Sequence, residues 1–355
     1  MKPVAVPTRP ASASAREPEE LVVQTGERSG ATMAIAVHST CLGPALGGAR
    51  LWHYERDEDG VADALRLARG MTFKAAAAGL DLGGGKGVIC APTKEPPSGP
   101  EREALLLDFG DLVESLGGHY ITAEDVGMTP DDMVVISSRT NYVTGLPAER
   151  GGAGDPSPFT AAGVQAAMRA AALFAFGTAS MDGRRVVVSG LGHVGEKLAR
   201  GLAEAGAWLV VSDVDSRKRA IARELGARWV EPSQALLTDC DILAPCAVGG
   251  AVDVDNVGRL STRIVCGAAN NQLADEALAE TLASRGILFA PDFIANAGGL
   301  INVYRELHSF SEERAMELAL AIENTMTRIL SRAEREDMTP LEAARDLARE
   351  RLDVR

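Results

Sequence analysis

Apolar and polar positions alternate at two periods along this chain, and the period decides which elements it predicts. Leu21-Val22-Val23 and Thr32-Met33-Ala34-Ile35-Ala36-Val37, divided by a turn over 26–30, predict an antiparallel strand pair that opens a small mixed sheet. A loop over Gly43-Pro44-Ala45-Leu46-Gly47-Gly48 follows, then a helix over 60–78 that delivers Lys74 near its end, and a strand over 88–91 beginning just after Lys86. Leu105, Leu106, Phe109, Leu112, Val113 and Leu116 form one helical stripe that stops at Gly117-Gly118. A strand over 119–123 then leads into Glu124-Asp125-Val126-Gly127.

Residues 144–158 are the densest Gly/Pro segment and the best hinge candidate, where a closure that excludes water is expected. An Ala-rich helix over 159–175 leads into strands over 185–189, 208–213, 227–230, 241–244, 263–266 and 287–290, separated by helical or longer connections. Such alternation is that of a doubly wound parallel sheet. From about 310 the chain is charged and helical, with Leu318, Ala321, Ile322, Met326 and Ile329 on one stripe. The fold class read from this is α/β with two domains: an N-terminal α/β domain over 20–145, a doubly wound domain over 146–310, and helices over 311–355 that pack back on the first. Residues 1–19, rich in Pro, Ala and Ser, read as a disordered leader.

Composition narrows the chemistry. At 355 residues the chain can bury two cores of ordinary size. A net charge of −13 and the lack of any basic run exclude a nucleic-acid partner, because phosphate binding draws on clustered Lys and Arg. Cys41, Cys90, Cys240, Cys246 and Cys266 are odd in number and scattered, which predicts free thiols in a reducing cytoplasm. His38, His53, His119, His193 and His308 show no metal-ligand spacing, so no metal is expected. No run of about eighteen apolar residues and no signal-peptide order occur, so no membrane partner is expected.

Val186-Val187-Val188-Ser189 runs into Gly190-Leu191-Gly192-His193-Val194-Gly195 and then a helix. Glycines at that spacing allow a tight turn and close approach of backbone to a pyrophosphate, while the helix N-terminus attracts the phosphates. Asp213 ends the next strand, eighteen residues after Gly195. A carboxylate there accepts both ribose hydroxyls of NAD and repels the extra phosphate of NADP. NAD is therefore the expected cofactor, although Arg217, close behind, leaves NADP open.

Lys74 and Lys86, twelve residues apart around Gly83-Gly84-Gly85, are the most informative feature. Two ammonium groups brought together suit an anionic substrate such as an α-amino carboxylate, and each lowers the other's pKa until one can act as a base. A phosphate loop does not fit, because the first glycine of GxxxxGK[ST] falls on Leu80 and Gly87 replaces the Ser/Thr. A 2-hydroxy acid dehydrogenase would need a His base beside the nicotinamide, and His193 lies inside the phosphate loop instead.

Gly43-Pro44-Ala45-Leu46-Gly47-Gly48, Gly70-Met71-Thr72-Phe73-Lys74, Gly83-Gly84-Gly85-Lys86, Thr122-Ala123-Glu124-Asp125-Val126-Gly127, Ala268-Ala269-Asn270-Asn271, Pro291-Asp292-Phe293 and Asn296-Ala297-Gly298-Gly299 together resemble the glutamate/leucine/phenylalanine/valine dehydrogenase family. The resemblance runs in order from about residue 21 to residue 350. It implies reversible oxidative deamination of an L-amino acid to a 2-oxo acid and ammonia, with NAD as hydride acceptor, in a homo-oligomer. It implies that Lys74 pairs with the substrate carboxylate, helped by the amides of Gly47 and Gly48. Lys86 then activates water, and Asp125 exchanges protons with the amino nitrogen. Asn270 and Asn271 fall beside the nicotinamide ribose and substrate, and Leu46, Ala123, Leu300 and Val303 line the side-chain pocket. Those four apolar residues, with no cation among them, favour valine, leucine or isoleucine, with phenylalanine or tryptophan as the alternative. A catalytically inactive NAD-binding regulator is the alternative of another class, one expected to have lost Lys74, Lys86 or Asp125. The chain departs from the usual pattern at Leu300, often a smaller residue, and at Gly87, often Thr, Ser or Ala.

Overall fold

Runs of period two become two separate sheets. In the computed structural model, which describes residues 17–353, the chain divides into two units: the first holds the chain up to Gly154 with Glu306–Ser309 and the segment from Ala348 on, and the second holds Asp155–Arg305 and Phe310–Leu347.

In the first unit β1 (Glu20–Thr25), β2 (Thr32–Ser39), β3 (Ala45–Trp52), β4 (Gly83–Cys90) and β5 (Tyr120–Glu124) form a mixed sheet in the order β1-β2-β4-β3-β5. The pairs β1–β2 and β2–β4 are antiparallel, whereas β4–β3 and β3–β5 are parallel. Two segments expected as loops are strands. Gly47 and Gly48 lie inside β3, and Lys86 sits in the middle of β4 rather than ahead of it.

The physical reason is that glycine here sets thickness, not turning. A Cβ on Gly84 would lie 2.1 Å from the backbone nitrogen of Thr72 in α1 (Asp57–Ala77), and one on Gly87 would lie 2.5 Å from the Phe109 ring in α2 (Gly99–Ser115). Only a strand nearly bare of side chains fits between helices that close. Helix α1 answers with small buried residues at every fourth position, Gly60, Ala64, Ala68, Thr72 and Ala76. On the opposite face, Leu105, Phe109 and Leu112 of α2 are buried against Met33, Ile35 and Ile89, each contributing about 1.5–3 kcal/mol of transfer free energy. Helix α3 (Pro130–Ser137) was not anticipated, yet Thr129 and Asp132 make a reciprocal capping box with Pro130 in the first turn, a signal readable in the sequence.

The leader expected over 1–19 lies, for residues 1–16, outside the described residues. Glu19 is already part of the fold, accepting hydrogen bonds from Thr40 N at 2.8 Å and Thr40 Oγ1 at 2.6 Å.

In the second unit β6 (Arg185–Ser189), β7 (Trp208–Ser212), β8 (Arg228–Trp229), β9 (Ile242–Pro245), β10 (Ile264–Val265) and β11 (Leu288–Phe289) form an all-parallel sheet in the order β11-β10-β9-β6-β7-β8. Strand order reverses between β6 and β9, the place where a doubly wound sheet opens a crevice at its carboxyl ends. The helices are α4 (Ser157–Phe176), α5 (His193–Glu204), α6 (Arg219–Glu224), α7 (Pro232–Ala235), α8 (Leu278–Ser284), α9 (Asp292–Ala295), α10 (Gly298–His308), α11 (Glu312–Leu320), α12 (Ile322–Glu336) and α13 (Pro340–Asp353). Helix α4 is long and apolar enough to cross a membrane by length and composition, but it is mostly buried beneath α5, α11 and α12 and is a core helix.

The terminal helices depart from expectation. Helices α11 and α12 pack on α4 of the second unit, not on the first. The apolar stripe of α12, Ile322, Met326 and Ile329, is buried, and Arg169 of α4 pairs with Glu323 at 2.8 Å. Only the end of α13 joins the first unit. There Arg351 donates to Ala76 O in the last turn of α1 at 3.3 Å and to Leu80 O at 2.5 Å, and pairs with Asp81 at 2.8 Å, placing a cation at the carboxyl end of α1.

Candidate active site

Strand register assembles one side of the first unit. In β3, Leu46 is opposite Gly84 of β4 and Ile121 of β5, and Gly48 is opposite Ala123. Alternation then puts Leu46, Gly48 and Arg50, with Lys86 of β4, Ala123 of β5 and Asp125 just past the end of β5, on one face of three adjacent strands. The other face carries Ala45, Ala49, Leu51, Ile89 and Tyr120 into the core over α2. Tyr120 also donates its hydroxyl to Gly47 O at 2.6 Å, tying the glycine stretch of β3 from behind.

On that face the Lys86 Nζ lies 2.8 Å from Asp125 Oδ2. Lys86 is 4% exposed. Burial pulls its ammonium well below the usual lysine range, outweighing the opposing pull of Asp125, and the Arg50 cation adds to the lowering. For Asp125, burial favours the neutral acid, but Lys86 and Arg50 together win and hold the carboxyl below its ordinary value. The pair is therefore a buried amine and a carboxylate in direct contact, with burial opposing the charged form of each.

Arg50 is a member of the site that sequence reasoning did not name. Its Nε donates to Asp125 Oδ2 at 3.0 Å and its Nη1 pairs with Asp63 of α1 at 2.7 Å. Asp63 in turn accepts from Tyr54 Oη at 2.8 Å and from Arg66 at 2.6 Å. The signal that finds Arg50 is the strand period itself, since 46, 48 and 50 share a face once 45–52 is read as a strand. Lys74 stands half-buried in the last turn of α1, two residues beyond Thr72, whose backbone rests on Gly84.

In the second unit the glycine-rich turn follows β6 directly. Gly190 has φ +106, which a side chain would oppose, and a Cβ on Gly195 would lie 2.0 Å from Gly190 O. Gly192 caps α5 in extended backbone, with open space where its Cβ would stand and no side chain capping the helix. Leu191, His193 and Val194 complete the turn. Bare amides at a helix N-terminus facing open space fit a pyrophosphate.

Asp213, just past β7, accepts from Leu191 N at 2.7 Å through Oδ2 and from Asp215 N at 2.8 Å through Oδ1. Each oxygen keeps a further lone pair for a ribose hydroxyl. Arg217, exposed, is turned onto Asp215 at 2.8 Å.

Asn270 and Asn271 follow β10. Asn296 Nδ2 donates to Asn270 Oδ1 at 2.8 Å and to Ala268 O at 3.1 Å, and Asn271 takes φ +51, a left-handed conformation asparagine tolerates. Buried Gln272 holds the same loop, donating to Gly267 O at 2.8 Å, while its own amide donates to Asp292 at 2.8 Å. Asn296, from the Asn296-Ala297-Gly298-Gly299 motif, thus holds the Asn270 side chain in place. Leu300 and Val303 lie one turn apart on α10 of the second unit, Leu300 buried and Val303 half-buried. Among the described residues, no group of three or more His, Cys, Asp or Glu is placed to hold a metal ion.

Residues 19–142 match the family model described as Glu/Leu/Phe/Val dehydrogenase, dimerisation domain, and residues 214–353 match that described as Glutamate/Leucine/Phenylalanine/Valine dehydrogenase. Leucine dehydrogenase of Bacillus subtilis is 45% identical over 337 residues, covering 94% of this chain and 91% of that protein. Valine dehydrogenase of Streptomyces virginiae is 45% identical over 338 residues, covering 94% and 93%. Among solved structures, L-tryptophan dehydrogenase from Nostoc punctiforme matches with a TM-score of 0.83 at 40% identity, covering 96% of this chain and 98% of that one. With a buried lysine–aspartate pair on one sheet and a glycine-rich turn at a helix start on the other, the chain belongs to the glutamate/leucine/phenylalanine/valine dehydrogenase family and is an amino acid dehydrogenase, an oxidoreductase acting on CH–NH2.

Proposed function

We propose that this enzyme catalyses the reversible, NAD-dependent oxidative deamination of a branched-chain L-amino acid to its 2-oxo acid and ammonia. The observation that carries the reading is the buried Lys86 amine at 2.8 Å from the Asp125 carboxylate.

In this reading Lys74 binds the substrate carboxylate with the amides of Gly47 and Gly48. Asp125 takes a proton from the substrate ammonium, because Cα can release hydride only when its nitrogen is neutral. The NAD held by Gly190–Gly195 and Asp213, with Asn270 at its ribose, supplies the hydride acceptor when bound. Lys86, made a base by burial, draws a proton from the water that attacks the resulting imine carbon. Asp125 returns its proton to nitrogen and takes up the proton of the new hydroxyl as ammonia leaves and the carbonyl forms, so that the two protons of the water end on Lys86 and Asp125. Asn271 is assigned to the substrate side of the same loop.

Leu46 and Ala123, on the same sheet face as the pair, are assigned to the substrate side chain, together with Leu300 and Val303. An apolar set without a cation supports an aliphatic substrate, and the likeness to leucine and valine dehydrogenases agrees. One methylene in such a pocket is worth about 1–3 kcal/mol, so valine, leucine and isoleucine overlap. The second reading, an aromatic substrate, is favoured by the likeness to a tryptophan dehydrogenase structure. Formation of NADH, followed at 340 nm with a panel of L-amino acids, decides between them. Faster turnover of phenylalanine or tryptophan than of valine and leucine overturns the branched-chain assignment, and no turnover at all favours an inactive NAD-binding regulator.

The reading extends to a homo-oligomer, supported by the dimerisation-domain description of the model that matches residues 19–142. Light scattering that finds a monomer at micromolar concentration overturns it. Free thiols at Cys41, Cys90, Cys240, Cys246 and Cys266 fit a reducing cytoplasm.

A further inference from the structure

We propose that Arg50 and Asp63 form a positioning pair for Asp125: Arg50 fixes the carboxylate so that Oδ1 is presented to the substrate nitrogen, and Asp63 holds Arg50 in place. This rests on the functional reading above, in which Asp125 exchanges protons with the amino nitrogen.

The geometry is one of shared donors. Lys86 Nζ at 2.8 Å and Arg50 Nε at 3.0 Å both address Oδ2 of Asp125. The terminal torsion of an aspartate is soft and close to two-fold, so a carboxylate at a strand end turns freely unless donors hold it. Two donors arriving from two strands on one oxygen oppose that rotation and leave Oδ1 as the oxygen that neither of these contacts engages. Arg50 is itself held at its other nitrogen, where Asp63 Oδ2 lies 2.7 Å from Nη1. Asp63 is gripped by Tyr54 at 2.8 Å and by Arg66 at 2.6 Å. The chain of contacts runs from β4 through β5 and β3 to α1.

Charge gives the pair its second purpose. An uncompensated arginine beside Asp125 would orient it, but would also weaken it as a base. Asp63 offsets part of that charge, so the Arg50–Asp63 unit orients the carboxylate with a weaker field than an unpaired arginine would exert. The groups acting on Lys86 and Asp125 include Arg50 from β3 and Asp63 from α1; Tyr54 and Arg66 act through Asp63, and Tyr120 lies beneath the same strands on the opposite face.

Arg50 and Asp63 also line an open cavity of about 530 Å³ with Trp52, Tyr54, Arg66 and Val126. That opening admits a small cation from solvent, which makes the pair testable by chemical rescue. Arg50→Ala is expected to lower kcat about 10- to 100-fold through misorientation, with cofactor affinity unchanged. It should also move the alkaline-side rise of kcat/KM to higher pH, because removing a cation near Lys86 raises the pKa of its ammonium. Guanidinium chloride, below its denaturing range, should restore part of the loss, and equal sodium chloride should not. Asp63→Asn should cost less and shift the same limb to lower pH.

A wild-type kcat and pH midpoint in Arg50→Ala, or recovery no greater with guanidinium than with sodium chloride, overturns the proposal. Should Arg50→Ala not fold, Arg50→Lys decides the matter, since it keeps the charge but cannot grip Asp125 and Asp63 at once. Wild-type kcat in that variant overturns the proposal equally. A parent enzyme idle on every amino acid is a different failure, that of the functional reading, and is visible before any variant is compared.

Discussion

The two sheets use glycine for opposite purposes. In β4 of the first unit the glycines remove side chains so that helices can press on both faces, and a Cβ on Gly84 would collide with the backbone of α1. In the turn after β6 the glycine at 192 meets nothing at all, and its missing side chain leaves room for a ligand. The first unit therefore builds its site from side chains standing on a crowded sheet, and the second from bare backbone at a helix end. Chemistry that moves protons needs the former, because only side chains titrate near neutrality. Holding a phosphate needs only the latter.

That contrast is sharpest at Lys86. Lys86→Ala is expected to reduce kcat about 10²- to 10⁴-fold while the NAD dissociation constant, measured by calorimetry, stays within two-fold or so. Loss of NAD affinity in the same variant would break the division of labour. Gly84→Ala comes next. Its added methyl must displace α1, costing about 1–3 kcal/mol in denaturant unfolding and carrying Lys74 with the helix. Unchanged stability would mean that β4 is not a spacer.

Gly192→Ala should reverse the pattern. Stability should hold within about 0.5 kcal/mol, because the site is open, while NAD binding weakens about ten-fold, or ~1.4 kcal/mol. The smallest effect is one of pH. Deamination should rise as Lys86 loses its proton, with a midpoint below the ordinary lysine value of 10.5, since burial favours the neutral amine. A flat profile up to that value would remove Lys86 from the role of base.

Legibility in the sequence follows the same line. The parallel sheet is readable because β/α alternation repeats, and its turn because glycines, helix start and Asp213 stand at readable separations. In the first unit the helical stripe of α2 reads directly, whereas 43–48 and 83–87 look like loops to any rule that treats glycine as a turn former. What those rules cannot weigh is a long-range constraint, the nearness of α1 to β4, which only the folded packing reveals. The meeting of Lys86 with Asp125 is equally silent in spacing, because they stand on strands separated by a third. Arg50 and Asp63 are hidden for the same reason, although Arg50 lies only two residues past Gly48.

One connection in the first unit bears on how the molecule can be cut and recombined. Arg351, almost at the end of the chain, closes the carboxyl end of the helix that carries Lys74, and Glu306 accepts from the amides of Gly145 and Ala153 at 3.1 and 3.0 Å. The first unit is therefore not a contiguous cassette. A gene fragment ending at 154 omits both of these clasps, and a chimera that exchanges the second unit must return residues 306–309 and the last turns of α13 to the parent they came from.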